Sequence, residues 1–470
     1  MTVKNKKVPT EGGRGKYANT GYGPGLALME VGLDDRVAAV EADTAFWAIL
    51  PKTSAADAIE NGTIRKTYQR KAEAMQREMR ALRFGLTPSA VYFNPTERCN
   101  LNCRYCYLPD KMRRGGIHMS PQKVCRALHI LRDHFKKSLP KGAKPQLVFH
   151  GSEPMLAREA VFAGIEKFAD DFRFGIQTNA TLLDEAAIDF LRSHGVGIGI
   201  SLDGHRAQVA DRTRRNWAGG GSFRKVTETL DRLSGYPALN AICTVTQANV
   251  RFLTQIVEFL HARGVPIIML NPVRCTQPGG RALKPDNGLL AREFMRALDR
   301  AYELGKSTGR KIVIANFANV LIGIAAPAAR RLMCDISPCG GGRCFFAVSA
   351  RGDVSPCSEF IGMPQFKGGN LFKTPIATIL KSKAFRDVTG RMIEEIEPCG
   401  RCAIRHFCGA PCPAEVHACE GTLRAPSAYC EFYEEQTRYA FRVIAQGRED
   451  AYLWDGWKKG TVETFRVQTV

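Results

Sequence analysis

Three cysteines with a regular spacing form the most reactive string of this chain. Cys99, Cys103 and Cys106 follow one another as C-x3-C-x2-C, directly after a short apolar run. Three thiolates on one tight loop can hold three irons of a [4Fe–4S] cluster. Because the loop has no fourth ligand, one iron stays open to a ligand from outside. The alternative is a zinc site, but zinc usually takes four ligands in paired knuckles, and the next cysteine or histidine is His118.

This spacing, with the aromatic Tyr105 just before the last cysteine, resembles the signature of the radical S-adenosylmethionine (SAM) superfamily. The resemblance implies that the open iron holds SAM and injects one electron. The product is then a 5′-deoxyadenosyl radical, which abstracts a hydrogen atom from the substrate. A non-catalytic iron–sulfur electron carrier is the rival class, and it would need no SAM-binding segments.

A second string is similar to the "GGEP" motif of that family. It consists of Gly151, Ser152, Glu153 and Pro154, with Ser152 in place of the second glycine. The resemblance implies that backbone carbonyls of this turn and Glu153 accept hydrogen bonds from the methionyl amine of SAM. A plain strand-to-helix turn would not need a glutamate beside a proline, so we expect a SAM-binding turn.

Further SAM contacts follow from the resemblance. Ser201 and Asp203 belong to a segment similar to the family's "SLDG", and Ser201 is expected to contact the SAM carboxylate or ribose. Arg214 aligns with the arginine that pairs with the SAM carboxylate, and Arg215 is the alternative. A guanidinium binds a carboxylate with two parallel hydrogen bonds. Asn179 follows the third predicted strand and is expected either to touch the ribose or substrate or to form a turn.

Eight cysteines near the C-terminus resemble the SPASM domain, which binds auxiliary iron–sulfur clusters. The resemblance implies two interleaved ligand sets for two [4Fe–4S] clusters: Cys339, Cys344, Cys357 and Cys412 in the first, and Cys399, Cys402, Cys408 and Cys430 in the second. With the first loop, this makes three [4Fe–4S] clusters. Zinc knuckles are the alternative for the C-x2-C pair. Interleaved ligands make folding depend on the clusters, so this region is expected to be disordered without them.

Five further cysteines are left. Cys125 and Cys243 lie in apolar patterns and are expected in the core. Cys334 and Cys419 flank the cluster region and are alternative ligands, and Cys275 follows a predicted strand end, where it either faces the substrate or has no special role.

Strands and helices alternate between these motifs. The predicted strands are 90–94, 146–150, 173–178, 197–202, 240–246 and 265–270, and the predicted helices are 120–137, 156–169, 182–194, 223–234, 249–263 and 288–306. Ser120 and Asn249 are expected to cap two of the helices. Such alternation builds a parallel sheet with right-handed crossovers. Six units are too few for a complete barrel, and the resemblance implies an α/β fold with an open, partial (β/α)6 barrel. Its active site is expected at the C-terminal strand ends.

Composition divides the 470 residues into five stretches. They are a flexible basic tail over 1–25, an N-terminal cap or peptide-docking region over 26–86, the radical SAM barrel over 87–330, the cysteine-rich SPASM domain over 331–446 and a C-terminal tail over 447–470. The second stretch is expected to hold two or three strands and a helix over 62–84.

Charge and targeting signals indicate the partners. The formal net charge is +21, but Lys and Arg are spread along the chain without aromatic interleaving, so we expect no nucleic acid. An acidic electron donor such as a flavodoxin or ferredoxin, or an acidic substrate, fits this charge better, and a basic solvated surface without such a partner is the equal alternative. No apolar run is long enough for a membrane span, and no secretory signal opens the chain. We therefore expect no membrane partner and a reducing cytoplasm.

The expected reaction comes from the same resemblance. SPASM-bearing radical SAM enzymes mostly modify ribosomally made peptides or proteins through thioether or carbon–carbon crosslinks, or through formylglycine formation. Formylglycine-forming sulfatase maturases carry an aspartate directly after the third cysteine of the first set, where this chain has Ser358 and then Glu359. Glu359 is the candidate catalytic base or substrate contact, and a surface carboxylate is the alternative. The chain resembles the branch that includes the quinohemoprotein amine dehydrogenase maturation enzyme, which joins cysteine sulfur to Asp or Glu side-chain carbons.

Overall fold

The structure is a computed structural model that describes residues 18–19, 26–326, 330, 334, 339–408 and 412–457. The tail expected over 1–25 lies outside these residues except for positions 18–19, which form a short strand. The last thirteen positions of the tail expected over 447–470 also lie outside them. The domain boundaries themselves stay a prediction.

An antiparallel sheet of four strands opens the described chain. The strands are Ala18–Asn19 (β1), Leu26–Glu30 (β2), Arg36–Glu41 (β3) and Phe46–Pro51 (β4), followed by helices Lys52–Glu60 (α1) and Thr63–Phe84 (α2). Alternation in β4 sends Phe46 toward α2, where its ring lies 5.5 Å from that of Tyr68, and sends Trp47 to the other face. Trp47 Nε1 donates to Ile324 O at 2.9 Å. Both sheet faces are therefore buried, as expected for a structural cap, while a peptide-docking role stays a prediction.

The barrel follows as a parallel sheet with helices between its strands. Its strands are Ala90–Phe93 (β5), Gln146–Phe149 (β6), Arg173–Thr178 (β7), Gly197–Ser201 (β8), Leu239–Val245 (β9), Ile267–Pro272 (β10) and Val313–Ile314 (β11). Its helices are Asp110–Gly115 (α3), Pro121–Ser138 (α4), Arg158–Phe168 (α5), Glu185–Ser193 (α6), Ala207–Ala210 (α7), Phe223–Arg232 (α8), Leu253–Ala262 (α9), Pro278–Ala282 (α10), Asn287–Thr308 (α11) and Ala315–Ala325 (α12). All six predicted strands and all six predicted helices are present, so the predicted α/β fold is confirmed.

Capping explains where several helices begin. Ser120 Oγ accepts a hydrogen bond from Lys123 N at 3.2 Å, and Asp184 and Asp286 cap α6 and α11 in the same way. The predicted cap at Asn249 is wrong. Its side chain instead accepts from Thr246 N and donates to Asp203 O and Thr244 O, and α9 begins only at Leu253 after a short 3₁₀ turn. The side-chain amide of Asn249 thus bonds to groups that precede α9 in the chain and not to the first turn of that helix.

The cysteine-rich region is joined to the barrel by a strand. It contains strands Phe345–Val348 (β12), Asp353–Ser355 (β13) and Gly369–Asn370 (β14), and helices Ile376–Ile379 (α13), Lys383–Thr389 (α14), Pro413–Glu420 (α15), Cys430–Ala445 (α16) and Glu449–Tyr452 (α17). Strand β12 pairs in parallel with β5, which gives the order β11-β10-β9-β8-β7-β6-β5-β12-β13-β14. One sheet thus runs from the barrel into this region, and its two end strands are not paired with each other.

The core surrounds this sheet on both sides. Side chains of the central strands, such as Ile198, Ile200 and Ala241, are fully buried, which is typical of parallel strands covered by helices. Within the described part of the chain, no helix is both long and apolar enough to cross a membrane.

Candidate functional site

A cavity of about 390 Å³ lies at the C-terminal ends of the barrel strands. Its wall carries Cys99, Cys103 and Cys106 on one side and Cys339, Cys357, Cys408 and Cys412 on the other. The remaining lining includes strand-end residues from β6 to β10, namely Gly151, Ser152, Asn179, Ser201, Thr244 and Asn271. A cavity thus lies where the active site is expected, and it joins the first cysteine loop to the C-terminal cysteines.

Backbone hydrogen bonds hold the first cysteine loop in place. Cys99 N donates to Arg113 O at 3.0 Å, and Asn102 N donates to Arg215 O at 2.6 Å. Trp217 Nε1 donates to Cys99 O at 2.8 Å. The loop is thus held between α3 and the segment that follows α7, so its shape does not depend on a bound metal alone.

The three thiols of this loop are close neighbours. Burial raises the pKa of Cys99 to about 12 and that of Cys106 to about 11, and the Cys103 thiolate adds to both rises. Metal coordination favours the thiolate and reverses such rises. Three buried thiols without a fourth ligand on the loop fit the predicted cluster with one open iron.

The turn after β6 has an unusual backbone conformation, while its predicted SAM-binding role stays a prediction. Gly151 has a φ of +72°, and a Cβ there would lie 1.9 Å from the Asn94 side chain, so only glycine fits. Ser152 also has a positive φ, and its Oγ donates to Glu97 O at 2.6 Å. Both residues line the cavity, and the buried Pro154 starts a 3₁₀ helix behind them.

Glu153 lies behind the cavity wall. One carboxylate oxygen accepts from Thr178 Oγ1 at 2.7 Å and from Met155 N at 3.1 Å, and the other accepts from Asn179 N at 2.7 Å. The residue is fully buried and does not belong to the cavity lining. The carboxylate therefore ties the ends of β6 and β7 together, and the neighbouring backbone carbonyls are the better candidates for holding an amine.

Arg214, Tyr105 and Asp203 form one buried group. Tyr105 Oη donates to Asp203 Oδ2 at 2.5 Å and accepts from Arg214 Nη1 at 2.6 Å, and the Arg214–Asp203 ion pair spans 3.8 Å. Burial raises the pKa of Asp203, and Arg214 opposes that rise. Arg214 and Tyr105 line the cavity, and Arg214 Nε is buried without a hydrogen-bond acceptor, so one donor remains for a ligand. Arg215 is exposed and bonds to Asp211 O.

Asn179 is held firmly in the cavity wall. Its Nδ2 donates to Asn100 Oδ1 at 2.8 Å and lies 3.9 Å from Cys99 Sγ, while its Oδ1 accepts from the Thr181 backbone and hydroxyl. The residue therefore forms a turn and also touches the cysteine loop. Ser201 lines the same cavity at the end of β8. The expected ligand roles of both residues stay predictions.

The C-terminal thiols fall into two neighbourhoods. Burial raises the pKa of Cys399 and of Cys402 to about 11 each, and the Cys430 thiolate adds to both rises. The pKa of Cys412 is raised to about 12, mainly by burial; Arg274 opposes the rise, and Glu359, Glu415 and Cys339 add to it. Cys339 also raises the pKa of Cys344. In the same way Cys412 acts on Cys357, whose pKa is raised mainly by burial. For seven of the eight thiols these interactions group as in the two predicted ligand sets, whereas Cys408 lines the cavity together with Cys339, Cys357 and Cys412. The assignment itself stays a prediction.

Buried arginines accompany these thiols. Arg391 is 2% exposed and interacts electrostatically with Cys339 and Cys412 of the first set and with Cys399 and Cys408 of the second. Arg343 acts in the same way on Cys339 and Cys344. Buried cations next to several thiols fit anionic clusters, which need counter-charge in a low-dielectric interior. Among the described side chains, no three of His, Cys, Asp or Glu converge on a single metal ion.

The five other cysteines differ in whether they line the cavity. Cys125 and Cys243 pack in the core as predicted, and Cys275 is buried outside the cavity, with its thiol 4.0 Å from Tyr429 Oη. Cys419 donates to Cys275 O at 3.4 Å and lies outside the lining. Cys334 lines the cavity and acts electrostatically on Cys357, so it remains an alternative ligand.

Glu359 faces the cavity between the two cysteine regions. Burial raises the pKa of its carboxyl to about 7, Arg274 opposes the rise and Glu415 adds to it. Its Oε2 is buried without a hydrogen-bond donor among the described atoms. The surface-carboxylate interpretation of Glu359 is therefore wrong, because the carboxylate is part of the cavity wall.

Three other lining residues were not found from the sequence. Tyr107 Oη and His150 Nδ1 are buried without partners, and burial lowers the pKa of His150 to about 4. Arg274 follows β10 and also reaches the cavity. The sequence position of each residue could have indicated it. Tyr107 follows the last loop cysteine, His150 precedes Gly151, and Arg274 is the first charged residue after a strand end.

Comparison with known families gives two matches. The radical SAM superfamily matches residues 93–246, and an iron–sulfur cluster-binding domain, SPASM, matches residues 339–403. The first range holds the cysteine loop and the cavity-lining residues Gly151, Asn179, Ser201 and Arg214. The second holds five of the eight C-terminal cysteines assigned above.

Relatives cover most of the chain. An uncharacterized protein of Archaeoglobus fulgidus is 42% identical over 86% of this chain and 90% of its own length. The cysteine-type anaerobic sulfatase-maturating enzyme of Clostridium perfringens is 22% identical over 76% of this chain and 97% of its own.

Solved structures share the fold. The AdoMet-bound sulfatase-maturating enzyme anSMEcpe superposes with a TM-score of 0.68 at 19% identity, over 79% of this chain and 98% of its own. SuiB of Streptococcus suis, bound to its precursor peptide SuiA, gives a TM-score of 0.56 at 12% identity, over 86% of this chain and 99% of its own.

Proposed function

Because this chain is a radical SAM enzyme with a SPASM domain, we propose that it is a maturase of a ribosomally made polypeptide. We further propose that it joins a substrate cysteine sulfur to a substrate carbon as a thioether, with Asp or Glu as the carbon partner. The observation that carries the proposal is the single cavity with cysteines of both regions in its wall. Such a cavity lets one substrate lie between a site that removes a hydrogen atom and a site that accepts an electron.

SAM and iron–sulfur clusters are the cofactors that the two domains imply. When bound, they supply a one-electron removal of a substrate hydrogen atom and an acceptor for a surplus electron. We propose three [4Fe–4S] clusters, one on the Cys99, Cys103 and Cys106 loop and two on the sets of Cys339 and Cys399 defined above. The mutual interactions of the C-terminal thiols and the adjoining buried Arg391 support this number.

The SAM side of the cavity contains the groups that such a molecule requires. The Gly151–Ser152 backbone presents carbonyls to an amine, and Arg214 presents a cation to a carboxylate, with Asp203 and Tyr105 holding it in place. Glu153 keeps the turn and Asn179 in position from behind. This chain's residues thus bind and orient SAM from three different strand ends.

The thioether step balances as follows. One substrate C–H bond and one substrate S–H bond are lost, and one C–S bond forms. The carbon's hydrogen leaves as an atom, the thiol proton goes to a base, and one electron passes to an auxiliary cluster. We assign the base to Glu359, because its free Oε2 faces the cavity between the two cysteine regions.

Sulfatase-type chemistry is the second candidate. It is favoured by the similarity to sulfatase-maturating enzymes in sequence and fold. The Ser358–Glu359 pair after Cys357, where that class has an aspartate, favours thioether formation instead. Carbon–carbon crosslinking is the third candidate reaction for the same cavity.

An acidic electron donor, such as a flavodoxin or ferredoxin, is proposed as a second partner. The exposed side of the cysteine loop presents Arg104, Arg114 and Arg215, and Arg114 lies 4.3 Å from the Trp217 ring. Trp217 in turn contacts Cys99, so this basic rim lies beside the loop. Sixteen cysteines, many of them at cluster-type spacings, suit a reducing compartment such as the cytoplasm.

The test is co-expression with small polypeptides encoded beside the gene, followed by mass spectrometry. Thioether formation makes the product lighter by two hydrogen atoms per crosslink and removes one alkylatable thiol. A product that keeps every alkylatable thiol and carries an aldehyde, which a hydrazide traps, would overturn the thioether proposal in favour of formylglycine. Fragmentation then identifies the joined carbon.

A further inference from the structure

We propose that Arg274 selects the substrate by binding the carboxylate of an acidic side chain in the polypeptide. This inference rests on the proposed polypeptide-modifying function and deepens it, because it names the chemical group that the cavity recognises. It extends the set of cavity residues beyond those that hold cofactors.

The position of Arg274 points to the substrate. It follows the end of β10 and lines the cavity together with Asn271 and Pro272. Ends of parallel strands meet at one edge of a sheet, so Arg274 shares that edge with Ser201 at the end of β8. Cys412, Tyr433, Glu415 and Glu359, all from the C-terminal region, act electrostatically on Arg274. The guanidinium therefore lies where a substrate between the two cysteine regions must pass.

The hydrogen-bonding capacity of Arg274 is largely unused. A guanidinium has five N–H donors, yet within the described residues Arg274 donates no hydrogen bond. Its one ion pair, to Glu415 Oε2, spans 3.7 Å, longer than a hydrogen bond. A cation with free donors on a cavity wall is suited to a planar anion that can accept two of them, which is the geometry of a carboxylate.

Glu415 orients the guanidinium of Arg274 but accepts no hydrogen bond from it. The Glu415 side chain is 2% exposed, and its Oε1 accepts from Cys275 N at 2.8 Å. The carboxylate is thus anchored to the backbone and holds the guanidinium by charge from behind. A substrate carboxylate can then approach the other side of the guanidinium.

The surrounding groups make the recognition selective. Glu359 Oε2, Ser358 Oγ and Tyr107 Oη line the same cavity as buried atoms without partners. None of these groups offers a cation to an acidic side chain, so its carboxylate is stabilised on this side of the cavity where it meets Arg274. An amide in its place would lose the charge-assisted hydrogen bonds to Arg274.

A double-mutant cycle tests this assignment. The probe is the fluorescently labelled polypeptide encoded beside the gene, with each Asp or Glu changed in turn to Asn or Gln. Its Kd is measured by anisotropy with anaerobic, SAM-loaded enzyme and no reductant, so that no turnover occurs. We expect one acid-to-amide change to weaken binding to the unchanged enzyme by about 10- to 100-fold, and to Arg274→Gln by less than about 2-fold.

Controls separate recognition from general electrostatics. Arg292 also has a single 3.7 Å ion pair to a glutamate but lies on α11, outside the cavity, so Arg292→Gln should behave as the unchanged enzyme. Arg274→Lys keeps the charge and is expected to preserve the iron content and to show an intermediate acid-to-amide penalty. This variant replaces Arg274→Gln if Arg274→Gln loses iron.

Two results overturn the assignment. One is an acid-to-amide penalty of equal size in the unchanged enzyme and in the Arg274 variant at every acidic position. The other is the absence of any penalty in the unchanged enzyme. Failure of the proposed reaction is recognised separately. The mass spectrum of the product tests the reaction, whereas the binding cycle tests the recognition of the carboxylate and requires no turnover.

Discussion

The barrel and the cysteine-rich region hold their thiols by different means. In the barrel, Cys99, Cys103 and Cys106 share one loop, which backbone bonds to Arg113 and Arg215 fasten on both sides. In the cysteine-rich region, eight thiols are spread over positions 339–430, between short strands and 3₁₀ turns. The first site is thus built on a hydrogen-bonded sheet, and the second depends on long-range contacts between thiols.

This difference indicates which site can form before its metal. Parallel strands with buried Ile and Val side chains stabilise the barrel without the loop. The other region has β12 as its link to the sheet, and it buries Arg391 and Arg343 beside thiols. Buried cations beside several thiols favour an anionic cluster at that place, so we expect this region to gain stability when clusters bind.

The largest expected effect comes from the first loop. Replacement of Cys99, Cys103 and Cys106 by Ala should abolish SAM cleavage while about eight of about twelve irons remain after anaerobic reconstitution. The measurements are iron content and 5′-deoxyadenosine by chromatography. Cys125→Ala, a cysteine outside the cavity, is the matched control. Intact 5′-deoxyadenosine production by the triple variant would contradict the assignment.

Removal of iron by a chelator should act on the two regions unequally. We expect amides of β13 and α14 to exchange hydrogen at least about 100-fold faster without iron, because their fold is coupled to the clusters. Amides of β7 and β8 should keep their protection. Hydrogen exchange read by mass spectrometry measures both in one sample. Equal loss of protection in the barrel strands would show that the two regions do not differ in this way.

Arg214→Ala should weaken SAM binding by about 2–5 kcal/mol, because it removes a buried charge from the expected carboxylate site. Equilibrium dialysis with labelled SAM measures the change. Arg215→Ala is the control, since this side chain is exposed and bonds to Asp211 O. A loss of affinity in Arg215→Ala alone would move the role to that residue.

Arg391→Met should have the smallest effect. We expect midpoint potentials of the auxiliary clusters to become more negative on the order of tens of millivolts, because a buried cation near both sets favours the more reduced, more negative state. Potentiometric titration followed by electron paramagnetic resonance measures them. Arg401→Met, an exposed arginine in the same region, is the control, and equal potentials in both variants would remove this role from Arg391.

Sequence patterns located most of the fold but not its connections. The predicted strand 173–178 agrees with β7 at both ends, whereas the strand predicted over 265–270 begins two residues later. Val265 N still bonds to Leu260 O, and Pro266 has no N–H for the ladder. The parallel pairing of β12 with β5 could not be predicted, because the two segments lie more than 250 positions apart and short apolar runs do not specify their partners.

The sequence by itself determined the chemistry: cysteine spacing, the Gly151–Ser152 turn and strand–helix alternation indicated the cofactors and the barrel. These are local properties, set by ligand spacing and backbone conformation. Only the tertiary structure placed Glu153 behind the wall, and only it brought Arg274 and Glu359 to one cavity. Such placement depends on which strand ends meet and which polar atoms find partners, and those contacts join residues far apart in the chain.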